Sequence, residues 1–451
     1  MEGKAVITYY EGFDVVCSRC KTEPATVCAR LDSYCTPCFV RFIRGKQRKL
    51  MKGEQFKAKH ASKQSLGEPQ KVLLAFSGGV SSVVLFDVLA SNLEEQMANK
   101  GTRGQQGFEL IVVNLDETIV KSIDKKVRSI IKDLISLYPT VSIQYLILPL
   151  HAFVADKSSL AKLSLTSEFG VKLQDIDTAA AAATTFESLL LTVSSKSAVE
   201  DLLAVVQSQL LLQTAYQEKC QTLVMGHNTT RLANEIISLT VKGRGGIIHK
   251  DIADHKEHFK DTQIEILYPL RGVLQAEIDA YAKLTGLDVH VAKYTEIKSR
   301  VNKNLTVNDL STQYFRTLDL LGYGNTASTV LKSGEKLGEP RGTAISHCRM
   351  CGEDIRLPPR TWLNNITTNE GVPLETEEEL RNLEAFNREY PSISNGVQDN
   401  SAAAGVGVVD VCYGCTLSLQ AAKPTLVWPV RHNEKDIINE YVLTDNEEDE
   451  V

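Results

Sequence analysis

The chain has no apolar run approaching the roughly 18–20 uninterrupted residues of a membrane-spanning helix. No transmembrane anchor is therefore expected. Its opening stretch, Met1–Phe13, lacks a basic segment followed by an apolar core, so no secretory leader is expected either. Positive charge is not in excess: 50 Lys and Arg face 56 Asp and Glu, a formal net charge of −6. Any nucleic-acid contact must come from a local patch. Ten cysteines among 451 residues are few for a disulfide scaffold, and eight of them fall into four Cys-x-x-Cys pairs. That pattern points to metal in a reducing compartment such as the cytoplasm. The Gly-Lys-Ser/Thr ending of a Walker loop and the three spaced glycines of a dinucleotide fingerprint are both missing. Length and apolar content suit two or three domains with a real core.

What is present centres on Lys71–Ala90, KVLLAFSGGVSSVVLFDVLA. Val72–Phe76 reads as a buried parallel strand, Ser77-Gly78-Gly79 as a break, and the residues from Ser82 onward as a helix. A strand, a glycine turn and a helix in succession form a phosphate site. The helix N-terminus offers unpaired N–H groups, the glycines let an anion approach, and Ser77, Ser81 and Ser82 can donate to it. An ordinary Ser/Gly turn is the plain alternative.

Two cysteine pairs precede this stretch, Cys17-x-x-Cys20 and Cys35-x-x-Cys38, with 14 residues between them. Four thiolates on two tight knuckles form the tetrahedral sulfur cage of a structural zinc site, which leaves no position open for substrate. Cys28, between the pairs, is not read as a ligand. A second set, Cys348-x-x-Cys351 and Cys412-x-x-Cys415, lies 60 residues apart and reads as a second four-Cys zinc site, with a redox pair or two separate sites as alternatives. After the first set the chain turns basic. Arg41, Arg44, Lys46, Arg48, Lys49, Lys52, Lys57, Lys59 and Lys63 face a single acid, Glu54. Either this is a solvated helix face or it is an arm for the phosphate backbone of RNA or DNA.

Between these features strand and helix patterns alternate. Strands are expected at Val72–Phe76, Leu110–Leu115, Ser142–Leu148, Thr222–Gly226 and Ile264–Tyr268, and helices at Ser82–Ser91, Val120–Leu137, Ala198–Glu218, Thr230–Thr240 and Gln275–Leu284. This is an α/β chain with a doubly wound, mostly parallel sheet, whose ligands belong at the strand carboxyl ends. Asp116 and Glu117 end the second strand, where they could meet a ribose or metal or simply begin a helix. Gly226-His227-Asn228 ends the fourth strand and opens a helix. Arg244, in a glycine loop, and Arg271, after Tyr268-Pro269-Leu270, are candidate RNA contacts or surface ion-pair partners. Lys157–Thr192, rich in Ser, Thr and Ala, reads as an insertion without regular structure, and Asn446–Val451 as an acidic tail. Three parts are expected: 1–65 with the first zinc site and basic segment, 66–300 with the sheet, and 301–451 with the second zinc site.

Ser77-Gly78-Gly79-Val80-Ser81-Ser82 resembles the PP-loop of the ATP-pyrophosphatase superfamily, Ser-Gly-Gly-x-Asp-Ser/Thr, with Ser81 in place of the Asp. Gly226–Ala233 resembles the Gly-His-Asn-x-Asp-Asp-x-Ala segment of tRNA-thiolating PP-loop enzymes, with Thr230 and Arg231 in place of the paired Asp residues. The Pro-Leu-Arg element also resembles this group. The order of zinc knuckle, basic segment, two turns and C-terminal cysteine pairs is similar to the cytoplasmic tRNA 2-thiolation protein 2 family. That resemblance implies a PP-loop, adenine-nucleotide α-hydrolase-like fold flanked by zinc modules. It also implies a heterodimer with a catalytic subunit that thiolates the wobble uridine of tRNAs for Lys, Glu and Gln, with sulfur from a thiocarboxylated ubiquitin-like carrier. Within this chain the loop acid and the paired acids that would hold Mg²⁺ are gone. Between Lys71 and His347 the sequence offers a single thiol, Cys220. No catalytic residue is therefore assigned, and Ser77, Gly78, Gly79, Ser81, Ser82, Gly226, His227 and Asn228 read as a degenerate nucleotide site, with ATP and Mg²⁺ left open. The alternatives are an autonomous ATP-dependent sulfurtransferase and a zinc-dependent RNA-binding scaffold.

Overall fold

The computed structural model describes residues 6–10, 15–51, 53, 56, 70–98, 107–166, 170–296, 305–359, 361–362, 376–389 and 408–431. The chain divides into two compact units, Met1–Ala155 with Thr185–Arg341, and Asp156–Thr184 with Gly342–Val451. In chain order the first elements are β1 (Ile7–Tyr9), β2 (Val27–Ala29), β3 (Asp32–Tyr34), α1 (Thr36–Leu50), β4 (Gln70–Ala75) and α2 (Val80–Ala98). Next come β5 (Phe108–Asp116), β6 (Lys121–Ile123), α3 (Val127–Ser136), β7 (Ile143–Pro149), β8 (Leu160–Leu165), β9 (Val171–Asp175), α4 (Thr178–Ala183) and α5 (Phe186–Leu191). They are followed by α6 (Lys196–Gln217), β10 (Thr222–Met225), α7 (Thr229–Val241), α8 (Ile248–Asp251), β11 (His255–Phe259), β12 (Thr262–Leu267) and α9 (Gln275–Thr285). The last are β13 (Tyr294–Glu296), α10 (Val307–Leu320), α11 (Asn325–Glu335), β14 (Ser346–His347), β15 (Asp354–Ile355), α12 (Glu377–Glu389), β16 (Val408–Val409), α13 (Tyr413–Gln420) and β17 (Leu426–Pro429).

The larger unit is built on a six-stranded sheet in the order β11-β12-β10-β4-β5-β7. Neighbours from β12 to β7 pair in parallel and β11 is antiparallel on the edge. The doubly wound sheet is thus the one the alternating pattern implied. Side chains along β4 alternate between its faces, as a pleat requires. Val72 and Leu74 join α2, α3 and α9 in one core, while Leu73 joins α6 and α7 in the other. From β4 the chain winds outward to β5 and β7, then returns to β10 on the opposite side of β4. The carboxyl ends of β4 and β10 are therefore adjacent at a topological switch point, the place where α/β sheets bind ligands.

Two expectations need correction. The helix expected over Val120–Leu137 begins only at Val127; Lys121–Ile123 instead forms β6, paired with β13 from far along the chain. A long-range pairing partner of that kind leaves no local signal. The Ser/Thr/Ala segment is not structureless: β8 and β9 form a sheet of order β16-β9-β8-β17, with Leu160, Leu163, Val171 and Trp428 buried. Residues 156–184 belong with the C-terminal cysteines, and the N-terminal module belongs with the main sheet.

The N-terminal module is held by shared core and buried charge. Phe39 and Ile43 of α1 are fully buried in the cluster that contains Phe86 and Tyr281. Burial of such side chains contributes about 1.5–3 kcal/mol each. Beside them Asp87 of α2, itself buried, accepts from Arg44 (3.1 Å), Tyr281 (2.6 Å) and Tyr138 (2.6 Å). Arg44 also donates through Nε to the Tyr281 hydroxyl at 2.9 Å. Four elements thus converge on one carboxylate. A second anchor is Glu277, fully buried, which accepts from Arg30 at 2.6 and 2.9 Å and pairs with Lys46 at 3.4 Å. Its carboxylate also caps α9 through the Leu274 N–H, at 2.8 Å. Replacing Asp87 by Ala leaves the half-buried Arg44 without its counter-charge and two hydroxyls without their acceptor. The expected cost is about 3–5 kcal/mol, against about 1 kcal/mol for Tyr138→Phe. Urea unfolding midpoints measure both, and equal losses would contradict the central role of the carboxylate.

Candidate functional site

Ser77 leaves β4 and the turn reverses through Gly78, whose φ of +81° lies in the left-handed region that favours glycine. A Cβ there would stand 3.3 Å from Ala292 Cβ and 3.6 Å from Val127 Cγ2, so the position is also closed sterically. Ala292 N–H donates to the Gly78 carbonyl at 2.9 Å, and the Tyr294 hydroxyl donates to the Ser77 carbonyl. Burial, together with Glu117, Asp116 and Asp124, pushes that hydroxyl upward in pKa, so it remains a donor. The segment before and within β13 therefore braces the turn from its carbonyl side, a contact without a sequence signal.

The hydroxyls of the turn are engaged within the protein. Ser82 donates to the Gly79 carbonyl at 2.8 Å and is buried; the Gly79 N–H turns back to Ser77 Oγ at 3.4 Å. Ser81 Oγ accepts from Asn228 Nδ2 at 3.0 Å. Asn228 also donates to Gln275 Oε1 at 2.6 Å, while its Oδ1 caps α7 by accepting from the Arg231 N–H at 2.9 Å. A Cβ on Gly226 would lie 3.3 Å from the Ser82 nitrogen, so glycine is what lets the two strand ends meet. The structure thus brings Ser77, Gly78, Gly79, Ser81, Ser82, Gly226, His227 and Asn228 together at the switch point. Residues in the places of the missing acids are occupied otherwise. Thr230 is buried and accepts from the Gln275 N–H at 3.1 Å, and Arg231 pairs with Glu235 at 3.4 Å. Asp116 accepts from the Thr118 N–H at 3.0 Å, and Glu117 pairs with Lys121 at 2.7 Å. Among the described residues no group of carboxylates gathers at the turn in metal-binding geometry. Cys220 precedes β10, at the opposite end of the sheet from the turn, and burial pushes its thiol up to about 12.

Both cysteine sets do converge. In each, all four Sγ atoms lie within 4.8 Å of one another, with Cys20–Cys35 at 3.8 Å and Cys351–Cys412 at 3.6 Å. The two sites share a plan. The first pair sits on a knuckle: Lys21 N–H donates to the Cys17 carbonyl at 2.9 Å, and Gly352 N–H to the Cys348 carbonyl at 2.8 Å. The second pair opens a helix, with Cys35 capping α1 and Cys412 capping α13. Metal–sulfur bonds of about 2.3 Å in a tetrahedron place sulfurs roughly 3.8 Å apart. The residues therefore fit one tetrahedral ion in each cluster.

The basic residues of the N-terminal segment are distributed unevenly. Arg41 and Lys49 are exposed. Arg44 and Lys46 turn inward to Asp87 and Glu277, and Arg48 pairs with Glu95. Lys52, Lys57, Lys59 and Lys63 lie outside the described residues. Arg244 is buried against Asp201 at 2.7 Å, and Arg271 pairs with Asp254 at 3.2 Å. No helix among the described residues is long and apolar enough to cross a membrane.

The family model for cytoplasmic tRNA 2-thiolation protein 2 matches residues 306–417. Proteins of that name from Scheffersomyces stipitis and Debaryomyces hansenii are each 42% identical to this chain, over 98% and 97% of it and 99% and 97% of their own lengths. The chain belongs to the cytoplasmic tRNA 2-thiolation protein 2 family. Among solved structures, the U34-tRNA thiolase NcsA from Methanococcus maripaludis, described with its [4Fe-4S] cluster, aligns with a TM-score of 0.51 at 15% identity, over 81% of this chain and 100% of that one. At that identity the likeness shows the PP-loop fold.

His227 adds a measurable signature. Its ring stacks on Tyr268 at 5.4 Å between centroids, and its Nδ1 is buried without a hydrogen-bond partner. Burial, and then the neighbouring Arg231, pushes its pKa down to about 4. An unfolded histidine titrates near 6.5, so the unfolded chain binds the extra proton first. Stability is full above pH 6.5 and falls as the pH drops from 6.5 towards 4, by about 3 kcal/mol. His227→Gln flattens that part of the stability curve; a slope equal to wild type would contradict the assignment.

Proposed function

We propose that this chain is the non-catalytic, tRNA-binding subunit of a heterodimer that 2-thiolates the wobble uridine of cytosolic tRNAs for Lys, Glu and Gln. The reading rests on family membership together with one observation: the phosphate turn has its backbone but not its acids. Ser81 and Thr230 hydrogen-bond within the protein, and Arg231 brings a positive charge where the relatives resembled have a carboxylate. ATP-dependent thiolation needs Mg²⁺ held by acids and a sulfur-bearing centre near the base. Neither is supported by the residues around this turn, and Cys220 lies at the far end of the sheet. The catalytic subunit would supply both, with sulfur delivered by a thiocarboxylated ubiquitin-like carrier.

In this reading the chain's own residues bind and position. The exposed Arg41 and Lys49 would contact RNA phosphates, while Arg44 and Lys46 hold the N-terminal module in place. Each four-Cys cluster would hold one zinc ion, a role supported by sulfur distances suited to a single tetrahedral ion. That ion would lock its knuckle to the following helix. Metal analysis of the purified chain should give two zinc ions, and Cys17→Ser or Cys412→Ser should remove one each and lower thermal stability. Iron with acid-labile sulfide in either cluster would overturn the zinc assignment.

Activity is tested by reconstitution. The purified chain with tRNA, ATP, Mg²⁺ and a sulfur donor should give no 2-thiouridine by nucleoside mass spectrometry, and product should form when the catalytic subunit is added. Product from this chain alone would establish an autonomous sulfurtransferase. Full activity of the catalytic subunit without this chain would reduce it to a scaffold.

A further inference from the structure

The rim of the phosphate turn carries positive charge that nothing above uses. Lys125, Lys126, Arg128 and Lys132 fall within eight residues, and no acid stands between 125 and 132. All four side chains are exposed, as is Lys293 on the segment that braces the turn. Arg128 and Lys132 are one helical turn apart and share a face of α3. Lys125 Nζ donates to the Val289 carbonyl at 2.5 Å, which fixes the ammonium without neutralising it. Asp124 accepts from the Lys293 N–H at 2.7 Å, so its carboxylate is tied to backbone. Asp124, Asp133 and Asp288 are the exposed acids nearest in sequence, so the cations outnumber the acids at this face. In α1, by contrast, Arg44, Lys46 and Arg48 are all paired with carboxylates.

Two contacts join this face to the turn. Val127, between Lys126 and Arg128, lies 3.6 Å from where a Cβ on Gly78 would stand, and Ala292, beside Lys293, donates to the Gly78 carbonyl at 2.9 Å. A row of solvated, separated cations does not enclose a small ligand. It suits a polymer with charges at regular intervals, whose counterions are released on binding. We propose that Lys125, Lys126, Arg128, Lys132 and Lys293 form the surface along which the tRNA backbone passes the degenerate turn. The inference rests on the tRNA-binding reading and names its residues.

The test uses the full-length chain and an unmodified tRNA transcript, with fluorescence anisotropy over a series of salt concentrations. The triple variant Lys126→Ser, Arg128→Ser, Lys132→Ser should bind at least about tenfold more weakly at low salt and lower the slope of log K against log salt by roughly 2. Arg41→Ser with Lys49→Ser should have a smaller effect. The charge-preserving variant Lys126→Arg, Arg128→Lys, Lys132→Arg should bind as wild type, and thermal melts confirm that each variant is folded. If wild type binds tRNA and the triple variant shows the same slope, the α3 surface is overturned while the tRNA-binding reading stands. If wild type does not bind tRNA at all, both fall. Loss of binding to the catalytic subunit with tRNA affinity intact would make this face a protein-docking surface and overturn the proposal.

Discussion

One buried carboxylate sets the arrangement of the larger unit. Asp87 draws a guanidinium from α1, a phenol from the segment that follows α3 and a phenol from α9 onto a single helix packed on the main sheet. A charge in that position is costly to desolvate unless its lone pairs are filled, and here three donors fill them. The consequence is geometric as well as energetic. With α1 fixed to α2 and α9, the first cysteine cluster at its N-terminus is fixed relative to the sheet. Glu277 repeats the device from the other side of α1, accepting from Arg30 and Lys46 while capping α9. The N-terminal module is consequently an extension of the core and not a bead on a linker.

The same interaction marks the limit of what the sequence made legible. Features set by short-range demands could be read directly: the apolar runs of β4, β5, β7, β10 and β12, the glycines of the two turns, and both cysteine sets. The basic segment could be read as charge, but not as partners. Arg44 and Lys46 look like the neighbours of Arg41 and Lys49 until α9 and α2 are brought against them. Their carboxylates come from residues 43 and 231 positions away. Likewise β6 carries the composition of a helix start and becomes a strand only because β13 pairs with it. The run from Lys125 to Lys132 is inconspicuous in the sequence because its neighbours are apolar or mixed, and its exposure is evident only once α3 is placed.

The two cysteine clusters show how one local solution can serve two unrelated stretches. In each, the backbone of the first pair folds back on itself through a left-handed residue, Lys21 in one and Gly352 in the other. In each, the second pair begins a helix, where the N–H of the residue after the last cysteine donates to the carbonyl of the first, 2.9 Å for both Phe39–Cys35 and Thr416–Cys412. Four sulfurs so placed could hold one cation. The separations of 14 and 60 residues between pairs do not alter this plan.

The turn itself shows why a loop of this shape makes no demand for acids. Gly78 and Gly226 answer to the protein's own packing: the first has a positive φ against Ala292 and Val127, and the second must let β10 approach the Ser82 nitrogen. A side chain at Gly226 would crowd the start of α2, and one at Gly78 would crowd Ala292 and Val127. The acids of the relatives resembled would answer to a metal, and the sheet makes no demand for them. Ser81 meets Asn228 through a hydroxyl, and Thr230 meets the Gln275 N–H in the same way. The sheet therefore has strong reason to retain the glycines and none to retain the carboxylates, which is the combination found at this switch point.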